Sequence, residues 1–291
     1  MDRRAGRGRV PRLTVLVASL VLTLAACSSQ ARDELRDALG GTTAPATPST
    51  TLPTTAAVGS EPELLTVEVL ARYPHDTGAF TQGLEVAGGV LYESTGMYGE
   101  SDLRTVDVAT GEPTAVAPND GSVFAEGLTV LDDRLVQLTW RENTAYVWDP
   151  TTLTEVGRFT YDGEGWGICD DGARLVMSDG SARLTFRDRT TFEPTGTVDI
   201  TRGGELIGLL NELECVAGDV YANVWQTTDI VRIDPASGAV TAVIDASEIA
   251  AEVGAGGLAV LNGIAYFEAD RFYVTGKYWP TLFEVRFVPA G

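Results

Sequence analysis

Two short stretches of the sequence place a polar side chain at the same point of one motif. Residues 80–85 are "FTQGLE" and residues 124–129 are "FAEGLT", so Gln82 and Glu126 correspond to each other. A carboxylate can transfer protons, and a primary amide can both donate and accept hydrogen bonds. If the two copies are neighbours in space, their polar side chains could form a reactive site.

Three further copies of the motif occur at intervals typical of repeated β-sheet units. "EGWG" starts at Glu164, "NELE" at Asn211 and "NGIA" at Asn262, so the five starts are separated by 44, 38, 47 and 51 residues. An alternating apolar segment follows each start, and most units then end in turn-forming residues. This pattern predicts an all-β fold, a five-bladed β-propeller whose first strands line a central channel.

One additional strand precedes the first copy. Residues 64–73, "LLTVEVLARY", have no unit of their own, whereas the fifth unit reaches the C-terminus after three strands. We expect this N-terminal strand to supply the outer strand of the last blade and thereby close the ring. Closure would remove the open sheet edge of an incomplete ring.

Equivalent starts of the five units would bring their polar residues to one mouth of the channel. Trp140 and Trp225 follow two of the starts by fourteen residues, and Lys277 follows another by fifteen. The predicted pocket therefore contains a carboxylate, several amides and an ammonium group, surrounded by aromatic side chains. These aromatic side chains are Phe80, Phe124, Trp140, Trp166 and Trp225. Poor solvation beside them would raise the pKa of Glu126 and suit it to proton transfer near neutral pH.

Each of these residues also has a purely structural interpretation. The repeated glycine fits a crowded first strand, repeated tryptophans commonly pack between blades, and Glu126 alone could be a solvated acid at a strand end. The predicted convergence of the whole set is what favours a functional pocket.

Composition excludes several kinds of site. His75 is the only histidine, which leaves little material for a zinc site containing histidine or for a Ser-His-Asp triad. No glycine-rich phosphate loop precedes a helix. The strongly acidic charge, −20, argues against a nucleic-acid partner. A structural calcium ion stays open because acidic side chains are plentiful, although the sequence contains no spaced Asp/Asn ligand loop.

The N-terminal 60 residues are typical of an exported protein. Residues 1–26 combine five arginines with an apolar run too short to span a bilayer. The motif "LAAC" at residues 24–27 resembles a bacterial lipobox with Cys27 as the lipid attachment site. The alternative is an ordinary signal peptide cleaved near Ala26. Residues 27–60 are predicted to be a Thr/Pro/Ala-rich tether, and residues 61–291 one propeller domain. We therefore expect an exported, membrane-anchored and monomeric lipoprotein.

Two cysteines lie in neighbouring units of the predicted propeller. Cys169 and Cys215 follow the third and fourth starts by five and four residues. An exported protein can form disulfides. The sequence leaves open whether the two form a structural disulfide or two separate buried thiols.

Six ordered motifs extend from Tyr73 to Phe287: "YPHDTGAFTQGL", "LYESTGMYGESDLR", "FAEGLT", "LNELECV", "LNGIAY" and "VTGKYWPTLFEV". Together they resemble the plant and bacterial type of glutaminyl-peptide cyclotransferase, also called glutamine cyclotransferase. This resemblance implies a five-bladed propeller and an acyltransferase that needs no metal or other cofactor. It would convert the N-terminal Gln of a peptide or protein to pyroglutamate with release of ammonia.

The resemblance also implies roles for individual residues. Glu126 is expected to be the catalytic acid and base. The substrate-binding residues that it implies are Phe80, Gln82, Trp140, Trp166, Asn211, Trp225 and Lys277. Phe124 is expected to join them from its place in the predicted pocket wall. Two other functions stay open: a non-catalytic propeller that binds a peptide or sugar, and a metal-dependent, lactonase-like propeller.

Overall fold

The structure, a computed structural model, describes residues 61–291. The predicted signal peptide and tether, including Cys27, lie outside the described residues. Within residues 61–291 the chain consists mainly of β-strands with one short helix, and no described helix is long and apolar enough to cross a membrane. The expected all-β class is confirmed.

The strands form blade-like antiparallel sheets that follow one another along the chain. Strand β1 (Glu63–Pro74) precedes them. Sheet I contains β2 (Thr81–Ala87), β3 (Val90–Thr95), β4 (Asp102–Val106) and β5 (Pro113–Pro118). Sheet II contains β6 (Ala125–Leu131), β7 (Arg134–Thr139), β8 (Thr144–Trp148) and β9 (Glu155–Thr160). Sheet III contains β10 (Ile168–Asp170), β11 (Leu175–Ser178), β12 (Arg183–Arg187) and β13 (Pro194–Asp199).

The remaining elements form two further groups of strands. A small hairpin contains β14 (Thr201–Arg202) and β15 (Glu205–Leu206). Sheet IV contains β16 (Leu210–Val216), β17 (Asp219–Val224), β18 (Asp229–Asp234) and β19 (Ala239–Asp245), and helix α1 (Ser247–Glu252) follows it. Sheet V contains β20 (Leu261–Glu268), β21 (Arg271–Gly276) and β22 (Thr281–Pro289).

Strand β1 pairs with two of these groups. Its residues from Leu65 to Pro74 pair antiparallel with β22 and give sheet V a fourth strand. Its first four residues, Glu63 to Thr66, also pair in parallel with β19. Sheets IV and V are therefore continuous through β1, a connection that the repeat pattern did not predict.

In sheets I to III the last strand is far more exposed than the first. In β6 six of seven residues are buried, whereas none of the six residues of β9 is. Apolar side chains of neighbouring sheets pack together, as Leu103 of sheet I does with Leu128 and Leu135 of sheet II. A strand buried on both faces lies inside the molecule, so polar residues on first strands are enclosed by protein.

The ladder between first and second strands is irregular at the same place in four sheets. The register shifts between Thr81 and Gly83, Ala125 and Leu128, Leu210 and Leu213, and Leu261 and Ile264. The residues within these shifts include Gln82, Glu126, Asn211 and Asn262. A β-bulge redirects a side chain and commonly occurs next to active sites, so this irregularity positions the repeated polar residues.

Close approach between first strands explains the repeated glycine. A Cβ on Gly127 would lie 2.6 Å from the Trp166 carbonyl oxygen, and a Cβ on Gly167 would collide with the Asn211 carbonyl oxygen. These contacts pair Gly127 with Gly167 in the neighbouring unit. The residue before that glycine is Glu126 in one case and Trp166 in the other. In the third unit Trp166, not Glu164, is therefore equivalent to Glu126, and the sequence alignment was two residues out of register.

A disulfide joins the first strands of sheets III and IV. Cys169 of β10 and Cys215 of β16 are bonded, with their Cα atoms 5.4 Å apart. Strand β10 has only three residues, the fewest among the five first strands described. The covalent link adds a connection where the strand ladder is short.

Removal of this disulfide should lower stability without affecting the polar residues of the first strands. The bond closes a loop with a sequence separation of 46, and the lost chain entropy of a loop of this size corresponds to about 4 kcal/mol of unfolding free energy. We expect the Cys169→Ser/Cys215→Ser double variant to lose that amount in urea unfolding. An unfolding free energy equal to that of the oxidised wild type would contradict a stabilising role.

Candidate active site

A cluster of buried polar side chains, the polar centre, connects sheets I, II and V. Gln82 Nε2 donates to Glu126 Oε1 (3.0 Å), and Lys277 Nζ donates to Gln82 Oε1. An ammonium group can only donate, so it fixes which end of the Gln82 amide is the oxygen. The amide nitrogen must then face Glu126. The three side chains form a directed chain of hydrogen bonds from Lys277 through Gln82 to Glu126.

Lys277, the only lysine in the sequence, lies on the turn after β21. Its Nζ also donates to the Thr81 carbonyl oxygen (3.3 Å) and lies 4.4 Å from the centre of the Phe80 ring. The ring face attracts the cation. The same turn is held by His75, whose Nδ1 donates to the Trp279 carbonyl oxygen (2.8 Å) while its Nε2 donates to buried Glu93 (3.0 Å).

Burial shifts the pKa values of the two ionisable groups of the polar centre in opposite directions. Glu126 is 5% exposed and Lys277 is 2% exposed. Burial raises the pKa of Glu126 well above its usual 4.5, although the Lys277 charge opposes the shift. Burial lowers the pKa of Lys277 from 10.5 to about 7, against the attraction of Glu126 and Glu212. A carboxyl group with a raised pKa can both accept and return a proton near neutral pH.

Aromatic side chains pack in sequence around the polar centre. Phe80 contacts Phe124 and Tyr278, with ring centroids 6.0 and 5.1 Å apart. Phe124 also contacts Trp140 (5.5 Å). Trp166 and Trp225 form a separate edge-to-face pair, with ring centroids 5.4 Å apart. All five aromatic residues predicted for the pocket therefore take part in these contacts.

Glu164 connects the two groups of aromatic rings. Its Oε2 accepts hydrogen bonds from Trp140 Nε1 (2.8 Å) and Trp166 Nε1 (3.1 Å). Its Oε1 accepts a hydrogen bond from Arg141 (3.0 Å), whose guanidinium lies 3.7 Å from the centre of the Trp140 ring. This carboxylate, which the sequence placed among the converging polar residues, instead fixes the orientation of two indoles.

Two asparagines from sheets IV and V complete the set of polar first-strand residues. Asn262 Nδ2 donates to the Thr81 carbonyl oxygen (3.0 Å) and to Gln82 Oε1 (3.3 Å), which brings Asn262 into the polar centre. The side chain of Asn211 is buried, but none of its described hydrogen bonds reaches Gln82, Glu126 or Lys277. Asn211 is thus the only predicted pocket residue without a described direct contact to another.

Two carboxylates near the site were not identified from the sequence. Glu142 accepts a hydrogen bond from Tyr98 OH (2.9 Å), and its charge adds to the raised pKa of Glu126. Glu212 accepts hydrogen bonds from the backbone N–H groups of Leu84 (3.4 Å) and Ile264 (2.8 Å). The "NELE" motif did contain a signal for Glu212, because this residue replaces the repeated glycine.

The polar centre does not have the composition of a metal site. Within residues 61–291, no group of three or more His, Cys, Asp or Glu side chains is arranged to hold a metal ion. The polar centre instead combines one carboxylate with amides and an ammonium group. It can transfer a proton and donate hydrogen bonds to a developing negative charge.

Comparisons with known proteins agree on one family. A protein-family model described as glutamine cyclotransferase matches residues 41–287. A glutaminyl-peptide cyclotransferase from Arabidopsis thaliana is 40% identical over 230 residues, which are 77% of this chain and 72% of that protein. The crystal structure of Myxococcus xanthus glutaminyl cyclase is 40% identical, with a TM-score of 0.76, and the match covers 79% of this chain and 100% of that one.

Proposed function

The chain belongs to the glutamine cyclotransferase family, and we propose that it cyclises the N-terminal Gln of peptides or proteins to pyroglutamate with release of ammonia. This activity makes it a glutaminyl-peptide cyclotransferase, an acyltransferase. The observation that carries the proposal is the hydrogen bond between the Gln82 amide and Glu126 inside an aromatic enclosure. The contact shows that this buried carboxyl group can bond to a primary amide, and the γ-amide of a substrate Gln offers the same group.

In the proposed mechanism, Glu126 transfers the proton on which the reaction depends. The α-amino nitrogen of the substrate attacks its own γ-amide carbon, and a C–N bond forms. The carboxylate of Glu126 accepts a proton from that nitrogen and returns it to the departing amide nitrogen, so that ammonia leaves as the second C–N bond breaks. No proton is consumed overall. The raised pKa of Glu126 supports this role because both transfers must occur near neutral pH.

We assign Lys277 to the oxygen of the tetrahedral intermediate. Its ammonium group already donates to a carboxamide oxygen, that of Gln82, and to the Thr81 carbonyl oxygen. In a buried site a preorganised donor stabilises a developing oxyanion far more than it would in water. Gln82 would then position both Lys277 and Glu126.

The aromatic side chains would hold the substrate in a ring-closing conformation. The Gln side chain is flexible, and cyclisation needs the α-nitrogen within attacking distance of the γ-carbon. Flat walls from Phe80, Phe124 and the tryptophans would restrict the side chain to compact conformers. Asn211, which is also buried, remains a proposed substrate contact.

Substitution of Glu164 should weaken substrate binding more than it slows chemistry. In a Glu164→Ala variant, Trp140 and Trp166 lose their shared hydrogen-bond acceptor, and we expect KM to rise about tenfold while kcat changes less than about threefold. Steady-state kinetics with a Gln-initiated peptide would measure both constants. Glu155→Ala is the matched control because Glu155 also pairs with an arginine, Arg158, but at the surface. A fall in kcat alone would contradict the proposed role of Glu164.

The direct test of function uses the soluble domain from Glu61 onward and a Gln-initiated peptide. Mass spectrometry should detect loss of one ammonia with the wild-type protein and not with Glu126→Gln. Continued activity in the presence of a chelator would support a reaction that needs no metal. If the folded protein converts no Gln-initiated peptide, the enzymatic proposal is wrong and the pocket is a binding site.

We also propose that the sheets form a closed five-bladed propeller. Sheets I to V supply four strands each once β1 is counted with sheet V. Their first strands contact one another in a cycle, in which β2 neighbours both β6 and β20, and β16 neighbours both β10 and β20. The match to the Myxococcus xanthus structure supports the overall architecture. A crystal structure with a different number of sheets around the axis would overturn this assignment.

The location of the protein is a separate proposal that depends on the N-terminal sequence. The "LAAC" motif supports lipid attachment at Cys27 and export to the outer side of a membrane, with residues 27–60 as a tether for a monomeric domain. The acidic charge of the chain supports anchoring by lipid and not by a basic patch. Mass spectrometry of the mature N-terminus should find an acylated cysteine, and an unmodified chain beginning elsewhere would contradict the proposal.

A further inference from the structure

Asn262 carries a buried oxygen that the fold itself does not use. The side chain is fully buried, and its Nδ2 donates to the Thr81 carbonyl oxygen and to Gln82 Oε1. Its Oδ1 is also buried and has no hydrogen-bond partner within residues 61–291. Unpaired buried acceptors are rare in folded proteins and call for an explanation.

The orientation of the Asn262 amide is fixed by the two atoms that it faces. Exchanging its oxygen and nitrogen would set the oxygen against two other acceptors. Gln82 Oε1 accepts from the ammonium group of Lys277, and the Thr81 backbone oxygen can only accept. Both atoms facing Asn262 are therefore acceptors, so the side of its amide that faces them must be the NH₂ group. The unpaired atom is an oxygen, and it can be satisfied only by a donor.

Lys277 and Asn262 present complementary groups side by side. Lys277 Nζ and Asn262 Nδ2 bond to the same two atoms, Gln82 Oε1 and the Thr81 carbonyl oxygen. Their neighbourhood therefore contains one donor, the ammonium group, and one unpaired acceptor, Asn262 Oδ1. A carboxamide matches this pair, since its oxygen accepts and its NH₂ donates. An ionised carboxylate has no hydrogen to donate.

We propose that Asn262 makes the site selective for N-terminal Gln over N-terminal Glu by accepting a hydrogen bond from the γ-NH₂ group of the substrate. This inference rests on the proposed cyclotransferase function and adds a specificity-determining residue to it. A site that hydrogen-bonds a substrate N–H rejects an analogue without it because the protein group is left unpaired. When an N-terminal Glu binds, Asn262 Oδ1 stays without a hydrogen-bond partner, as in the free protein.

The charges around the site act in the same direction. Glu142 and Glu164 lie near enough to affect Glu126 electrostatically, and a γ-carboxylate entering the pocket would be repelled by them. This repulsion does not depend on Asn262, so it would persist when Asn262 is replaced. The two contributions to selectivity can therefore be separated by mutation.

The test compares two peptides that differ only in their first residue, with the Gln peptide as substrate and the Glu peptide as inhibitor. Asn262→Ser removes Oδ1 but keeps a short side chain that can donate to the Thr81 carbonyl oxygen, and Asn262→Ala is a second variant. Asn119→Ser is the matched control, since Asn119 Oδ1 is also buried without a partner in the described region while its Nδ2 bonds to Gln137. Kinetics give kcat/KM for the Gln peptide and Ki for the Glu peptide as a competitive inhibitor.

In Asn262→Ser we expect kcat/KM for the Gln peptide to fall at least about tenfold, while Ki for the Glu peptide changes less than about threefold. The Asn119→Ser control should leave both values near those of the wild type. Equal losses for both peptides, or no loss for either, would overturn the proposal. If the wild type turns over no Gln peptide, the cyclotransferase function itself fails, and titration calorimetry with both peptides then tests the selectivity of Asn262 alone.

Discussion

Replacement of Glu126 by Gln should lower kcat about a thousandfold, because general acid–base catalysis typically contributes 10²- to 10⁴-fold and Glu126 serves both proton transfers in the proposed reaction. The new amide has nearly the same shape, and its oxygen can still accept the hydrogen bond that Gln82 donates to Glu126. Thermal unfolding should therefore change little. Steady-state kinetics with a Gln-initiated peptide and a melting curve would measure the two effects.

The matched control for this variant is Glu85→Gln. Glu85 is also a first-strand carboxyl group whose pKa burial raises, to about 7, but it bonds to Thr129 and not to the polar centre. We expect its kcat to stay near that of the wild type. If Glu126→Gln kept more than about a tenth of wild-type kcat, a smaller loss than acid–base catalysis typically contributes, Glu126 could not be the group that moves the protons.

Replacement of Lys277 by Met should lower kcat/KM about a hundredfold through loss of an oxyanion donor, yet it should not lower stability. Lys277 is 2% exposed, and burial lowers its pKa from 10.5 to about 7. Folding therefore opposes protonation of Lys277. The resulting loss of unfolding free energy grows as the pH falls from 10.5 to about 7, and it has its full value below pH 7. Met has a similar length and no charge, so the melting temperature at neutral pH should be equal or higher.

The same substitution should change the pH profile in a defined direction. The Lys277 charge lowers the pKa of Glu126 and so opposes the effect of burial. Without that charge the pKa of Glu126 rises further, and the acidic limb of kcat/KM should move to higher pH. In the wild type, Lys277 loses its proton as the pH rises through about 7, which should produce a basic limb that the Met variant lacks.

Lys277 offers a direct check of these assignments because it is the only lysine in the sequence. Isotope-labelled lysine would give one side-chain NMR signal, and its titration midpoint is the pKa. A midpoint near 10.5 would contradict the effect of burial. If Lys277→Met reduced kcat/KM and the melting temperature together, the lysine would have a structural role instead of the proposed catalytic one.

Local sequence signals predicted much of the fold and of the candidate site. Gln82 and Glu126 were placed in equivalent positions from the repeat alone, and they are hydrogen-bonded to each other in the structure. Lys277 was expected beside them from its offset along the fifth unit, and it bonds to Gln82. These predictions succeeded because strand repeats have regular spacing, so that equal offsets lead to equivalent places.

The third unit shows where this reasoning is insufficient. "EGWG" contains two glycines, and spacing alone could not decide which one matches Gly127. Packing decides it, because a Cβ on Gly127 would lie 2.6 Å from the Trp166 carbonyl oxygen and 2.7 Å from the Gly167 Cα. This places Trp166 in the inner position and leaves Glu164 to bind the indoles of Trp140 and Trp166.

The all-β class, the repeated units, the family and the chemical groups available to the pocket all follow from the amino-acid sequence. These properties depend on residue types and on their periodicity along the chain, both of which can be read locally. The second pairing of β1 with β19, the hydrogen bond of Lys277 to Gln82 and the unpaired oxygen of Asn262 are instead properties of the folded chain. Hydrogen-bond orientation, burial and strand pairing arise between segments far apart in sequence, so no local pattern specifies them.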